Sequence, residues 1–313
     1  MPPLNTPSET MKIQFNATVW AVLLLLNLNS SFAQKSPDNI IFLTDLYTSF
    51  IHKAEAGHKN VDSLYKESLQ TSIYDSYFQK SEYAFIVKDF FASPIKNTAE
   101  LKKSIESITL NRELIKTNIT RALKKSRQLI NADSLTIYII PANPESRPVI
   151  ESMMGIMGLT AGSKQIILTI EPGITGWEKM LEYAVAHEFN HAYWTSINFG
   201  KSEKWTLLNY LVFEGRGDYF AHLLYPAIIA PWTTALTEKQ KTELWANIKP
   251  HLQSEDFSYQ MEVMFGSGKY PVWGGYSIGY DIVLTALANN KKLTADTWTN
   301  LEADKLLELS KYK

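Results

Sequence analysis

His187-Glu188-Phe189-Asn190-His191 sets two imidazoles four residues apart, with a carboxylate beside the first. On a helix, positions i and i+4 share one face about 6 Å apart along the axis, so both rings can reach one divalent cation. Glu188, about 100° around the helix from His187, then stands beside the open coordination position rather than on the ion. A carboxylate placed there can take a proton from a metal-activated water, which is the chemistry of hydrolytic zinc sites. The chain contains no cysteine, so a site for such a metal must be built from imidazoles and carboxylates.

A third ligand must come from another element. Glu214 lies in Phe213-Glu-Gly-Arg-Gly-Asp-Tyr-Phe220, and the segment between Thr195 and Lys204 lets a second helix fold back antiparallel to the first. Two histidines and Glu214 would complete a zinc site with one position left for water. Asp218 shares the face of Glu214 at i,i+4 and can accept the outward N–H of a ligating imidazole, fixing its tautomer. Gly215 and Gly217 each cost a helix about 1 kcal/mol relative to Ala, and close approach of helices at the metal would offset that cost. Taken alone, an acidic i,i+4 pair reads as a solvated helix face; its place after HEFNH favours the ligand reading. Glu182 sits on the same helix as both histidines and cannot converge with them.

Hydrolysis through a tetrahedral intermediate also calls for a donor to the developing oxyanion. Tyr276 and Tyr280, in Gly274-Gly275-Tyr-Ser-Ile-Gly-Tyr280, open a helix after a Gly/Pro-bearing loop that can line a cleft. Tyrosines at this spacing serve cores more often than catalysis, and Tyr276 is the stronger candidate. His222, two helical turns beyond Glu214, is too far for a fourth ligand but within reach of a cleft. His52, His58 and His251 carry no catalytic spacing. Glycine-bearing sequence over 155–161 reads either as an edge strand to which an extended peptide can add, or as an edge guarded by bulges.

The elements around these residues give an α+β fold, mainly helical, with a small sheet beside the HEFNH helix. Helical periodicity dominates residues 34–130, where Ile41, Leu43, Leu46, Tyr47, Phe50 and Ile51 form one stripe and further helices fall at 61–79, 99–108 and 111–130. Leu135–Ile140 and Gln165–Ile170 are β-branched and read as strands. Five helices follow, at about 176–195, 205–224, 237–252, 275–290 and 294–311. Residues 131–313 hold all of the candidate site residues.

HEFNH, EGRGDYFA and GYSIGYDIVLTAL together resemble a family of predicted zinc-dependent proteases with a gluzincin-like HExxH…E arrangement. The resemblance runs from about Asn131 to the C-terminus. It implies a zincin-like catalytic unit holding one Zn2+ on His187, His191 and Glu214, with Glu188 catalytic and a peptide or protein as substrate. Arg216-Gly217 departs from the small apolar pair expected there, which puts the packing of that helix in doubt. A catalytically silent zinc- or peptide-binding protein, and a zinc hydrolase of another amide or ester, are the competing readings.

Lys12, the apolar run Ala17–Leu26 and the Ser31-Phe32-Ala33 ending have the layout of a secretory leader cut after Ala33, with Met11 as an alternative start. Export to a periplasm or beyond the cell is therefore expected, with no stable membrane insertion once residues 1–33 are removed, since the run is shorter than the roughly 20 residues of a spanning helix. The formal net charge of −1 gives no electrostatic ground for a nucleic-acid partner.

Overall fold

A computed structural model describes residues 37–57, 60–201 and 204–312. The expected leader at 1–33 and His58 lie outside the described residues. From Asn39 the order is strand β1 (Asn39–Phe42), helices α1 (Thr44–Glu55), α2 (Thr98–Leu110) and α3 (Arg112–Leu129), and strands β2 (Thr136–Pro141), β3 (Ile156–Gly162) and β4 (Gln165–Ile170). Helices α4 (Trp177–Asn198), α5 (Leu207–Leu224), α6 (Gly274–Asn289), α7 (Ala295–Thr299) and α8 (Ala303–Ser310) follow, with shorter helices between the named ones. This is α+β architecture, mainly helical with a small sheet.

The sheet runs β1-β2-β4-β3. β1, β2 and β4 are parallel, and β3 pairs antiparallel with β4 at the edge. Parallel strands covered on both faces read as unbroken apolar runs, which explains Ile137–Ile140 and Ile166–Leu168. Ile137, Ile139, Ile166 and Leu168 pack into one core with α3, α4, α5 and α6. Tyr138, Ile140 and Ile167 face a second core built by residues 43–105. The N-terminal helices therefore cover the face of the sheet that looks away from the HEFNH helix.

β1 departs from the sequence expectation, which drew residues 41–51 as one helix. Ile40, Ile41 and Phe42 pair with Ile137, Tyr138 and Ile139, and the helix begins only at Thr44. Asp38 fastens this strand: Arg127 donates to both its carboxylate oxygens at 2.6 and 2.7 Å, and the Leu135 amide adds a bond of 2.8 Å. Such long-range partners outweigh the local helical period. The helix expected over 294–311 is likewise two helices, α7 and α8. The break between them is held to α4 by Asn190 to Thr299 (2.9 Å) and Asn198 to Asn300 (2.8 Å).

α4 is buried around most of its circumference, between β3, α3 and α5. A helix apolar on nearly all sides is a core helix, and the polar residues it does bury need partners. α5 is capped by Thr206, whose hydroxyl accepts from the Asn209 amide, an interaction worth about 1 kcal/mol to a helix.

Candidate metal centre

α4 buries His187 and His191 on one side, and α5 brings Glu214 against both. Glu214 Oε2 lies 3.3 Å from His187 Nε2 and 3.5 Å from His191 Nε2. One donor atom from each residue falls within 4.8 Å of the others. Nδ1 of His191 is buried without a hydrogen-bond partner among the described residues, and its Nε2 has only the long 3.5 Å approach to Glu214 Oε2. A buried imidazole left unbonded costs free energy unless something else engages a nitrogen, so this ring is suited to a cation. Two nitrogens and a carboxylate oxygen form a donor set that fits zinc with a position left open. Burial opposes the charge on Glu214, but hydrogen bonds and charge from the two imidazoles outweigh it and draw its carboxyl down to about 2. For His187, burial is likewise overcome, by Asp218, Glu214 and Glu188, which raise its pKa well above the usual value.

Asp218, one turn beyond Glu214, is fully buried. Its Oδ1 lies 3.0 Å from His187 Nδ1 and accepts from Tyr183 Oη at 3.1 Å and Trp232 Nε1 at 2.8 Å. An acceptor at Nδ1 holds a proton there and turns Nε2 toward Glu214. His191 is held differently, its ring stacked on Phe213 at 3.9 Å and 5°. Gly217 faces the ring of His187, where a Cβ would sit 2.8 Å from Cε1. Close approach of α5 to the His187 ring thus accounts for Gly217. Gly215 instead meets α6, where an added Cβ would collide with the Gly279 carbonyl.

Glu188 points toward the edge strand. The Thr160 hydroxyl donates to its Oε2 at 2.7 Å and lies 3.1 Å from its backbone oxygen. At Gly158 a Cβ would stand 2.7 Å from the Glu188 carboxyl carbon, so only glycine leaves room for this carboxylate. Tyr276, half-buried on α6, has its pKa raised well above the usual value by burial and then by Glu214, Tyr210, Asp218 and Glu188. Its hydroxyl therefore stays protonated within the field of all three carboxylates. Tyr280 is pushed up to about 12 by burial and by Asp218, and its ring lies 6.0 Å from His222. His222 is absent from the metal-capable cluster, which holds His187, His191 and Glu214. Glu182 pairs with Arg121, away from the cluster.

Arg216 turns away from the metal side. Buried beside the α7–α8 break, it donates to the Leu301 carbonyl, and burial draws its pKa down to about 9. The departure at Arg216-Gly217 thus fastens the C-terminal segment to α5 and leaves the metal-facing side unchanged. Thr160, Gly158, Tyr183, Phe213 and Trp232 were not singled out by sequence. Tyr183 could have been, since it stands one turn before His187 on the same helix; the others depend on chain crossings that no local spacing reveals.

A family model described as "Predicted Zn-dependent protease (DUF2268)" matches residues 115–308. Among curated proteins, the uncharacterized protein YjaZ of Bacillus subtilis (strain 168) is 30% identical over 115 residues, 36% of this chain and 44% of that relative. The chain thus spans less than half the length of the curated relative it matches. No solved structure matches it.

Proposed function

The chain belongs to the family of predicted Zn-dependent proteases, and from that membership we propose that it hydrolyses peptide bonds at one zinc ion held by His187, His191 and Glu214. The observation that carries this reading is the convergence of those three donors, from two helices, beside a carboxylate that none of them uses. Zinc bound there supplies a Lewis acid that polarises the scissile carbonyl and acidifies the attacking water. Glu188 accepts the proton of that water and returns it to the leaving amine. Thr160 holds one oxygen of Glu188, and the absence of a side chain at Gly158 leaves room for the other. Tyr276 donates its proton in a hydrogen bond to the carbonyl oxygen as negative charge develops on it. Asp218 keeps His187 in the tautomer whose Nε2 is a ligand.

β3 supplies the place for an extended substrate. It is the edge strand, with β4 as its strand partner on one side, and its far end is closed by the Tyr83 amide donating to the Ala161 carbonyl at 3.0 Å. A peptide added along Ile156–Thr160 would run past Glu188 with its main chain hydrogen-bonded, which gives affinity without demanding a sequence. The leader-like run at Ala17–Ala33 supports the reading that this activity lies outside the cytoplasm; N-terminal sequencing of an exported protein is expected to begin at Gln34.

Three variants test the site together, read by metal analysis and peptide turnover. Glu188→Gln keeps zinc and loses turnover. Glu214→Ala loses zinc. Tyr276→Phe keeps zinc and lowers kcat by about 100-fold, the usual cost of one oxyanion donor. Zinc-loaded, fully active Glu188→Gln and Glu214→Ala proteins would overturn the assignment.

A further inference from the structure

Asp218 receives three donors on one oxygen, and only His187 among them belongs to the proposed ligand set. Its second oxygen is buried with no hydrogen-bond partner among the described residues, so the orientation of the carboxylate rests on Oδ1. We propose that Trp232 is a positioning residue that locks the His187–Asp218 pair to the helix carrying Tyr276. This rests on the zinc reading above and extends it beyond the residues that touch metal or substrate.

Trp232 lies in a short 3-10 turn, Pro231–Thr234, on the chain between α5 and α6. The turn is closed by the Thr233 amide and hydroxyl, which donate to the Ala230 carbonyl at 3.0 and 2.8 Å. From this base the indole N–H reaches Asp218 Oδ1 at 2.8 Å, the shortest of the three contacts on that oxygen. The carbonyl of the same residue accepts from Ser277 Oγ at 2.7 Å, and Ser277, fully buried, adjoins Tyr276. The ring packs edge-on against Tyr183 with centroids 6.2 Å apart, and 6.4 Å from Trp273, which in turn packs against Tyr276. One residue thus grips the acceptor behind a metal ligand with its side chain and the oxyanion-facing helix with its backbone.

The physical consequence is geometric. A carboxylate that also holds an indole N–H and a phenol cannot swing away from the imidazole without leaving buried donors unpaired. The Ser277 bond keeps the turn, and so the indole, in register with α6. Neither bond takes part in the reaction. Both fix the distance between the group that holds the ion and the group that meets the developing charge.

The test is a double-mutant cycle on the full chain, reading the zinc dissociation constant by competition with a chromophoric chelator. Trp232→Phe keeps an aromatic ring and removes the N–H; it is expected to weaken zinc about tenfold. In an Asp218→Ala background the same change is expected to alter affinity by less than about twofold, because the bond it removes is already gone. Equal weakening in both backgrounds, or none with Asp218 in place, makes Trp232 a core aromatic and overturns the proposal. Ser277→Ala reads the other arm: kcat at saturating zinc should fall about tenfold or more with the zinc constant unchanged, and an unchanged kcat overturns the tie to α6. If Trp232→Phe fails to fold, 3-benzothienylalanine at position 232 replaces the N–H by sulfur in a ring of nearly the same shape, with the same outcomes expected. A wild-type chain that binds no zinc brings down the zinc reading itself. Zinc binding lost on Glu214→Ala but indifferent to Trp232 brings down only this proposal.

Discussion

The two histidines of α4 stand one turn apart and face the same carboxylate, yet the protein holds them by different physics. His187 is anchored behind by a hydrogen bond to Asp218, itself gripped by Tyr183 and Trp232. His191 has no such bond; its ring lies flat against Phe213, and its Nδ1 is buried without a partner among the described residues. A hydrogen bond to Nδ1 fixes the tautomer and the rotation of the ring about χ2 together. Stacking fixes the plane of the ring but is nearly indifferent to its tautomer. The proposed site is thus rigid on the His187 side, where Gly217 and Asp218 determine the ring completely. On the His191 side a cation bound there would select the tautomer.

This contrast can be broken hardest at Gly217. A methyl there would sit within 2.9 Å of three atoms of the His187 ring, with a fixed carboxylate behind it. Gly217→Ala is therefore expected to displace the imidazole and weaken zinc by about 100-fold or more, with a fall in Tm from the overpacked helix contact. Chelator competition and a thermal scan of the metal-free protein would show both; zinc affinity within twofold of wild type would mean that the His187 side is not rigid. Asp218→Asn comes next. The amide oxygen can still accept from His187 but no longer carries charge, so zinc should weaken by about tenfold, the lower end for an acceptor behind a ligating imidazole. An Asn variant that binds zinc as wild type does would leave the hydrogen bond to His187 without energetic weight.

How much of this could be read from the sequence follows the same division between local and distant. HEFNH shows its own geometry because four residues on a helix are one turn, and Glu214 and Asp218 repeat that spacing on α5. Strands β2 and β4 declare themselves by β-branched runs that only a sheet buried on both faces needs. β1 is a strand because residues nearly a hundred positions away offer it a partner, and its four residues were absorbed into the period of the helix that follows. Thr160 and Gly158 matter because β3 happens to lie along Glu188; their types announce only an irregular strand. Trp232 carries no signal at all, since a tryptophan in a Pro-bearing turn reads as ordinary packing. The cover that residues 43–105 give the sheet was equally hidden, because a helix's apolar stripe does not say which face it meets.

The weakest expected effect is the one that decides between the two modes of support. Phe213 contributes to His191 through ring contact alone, and it is itself packed edge-on by Trp194 at 5.2 Å and Trp205 at 5.4 Å. Phe213→Leu keeps an apolar side chain of similar reach and removes the flat face. Aromatic pairs contribute about 0.5–1.5 kcal/mol beyond the area they bury, so the variant should weaken zinc by about threefold to tenfold. Because stacking leaves the tautomer to the cation, the loss should appear mainly as a faster zinc off-rate from a looser ring, measurable by stopped-flow chelation. Should Phe213→Leu instead cost as much as Asp218→Asn, the plane of His191 would be as decisive as the tautomer of His187. The asymmetry between the two imidazoles would then be one of chemistry and not of strength.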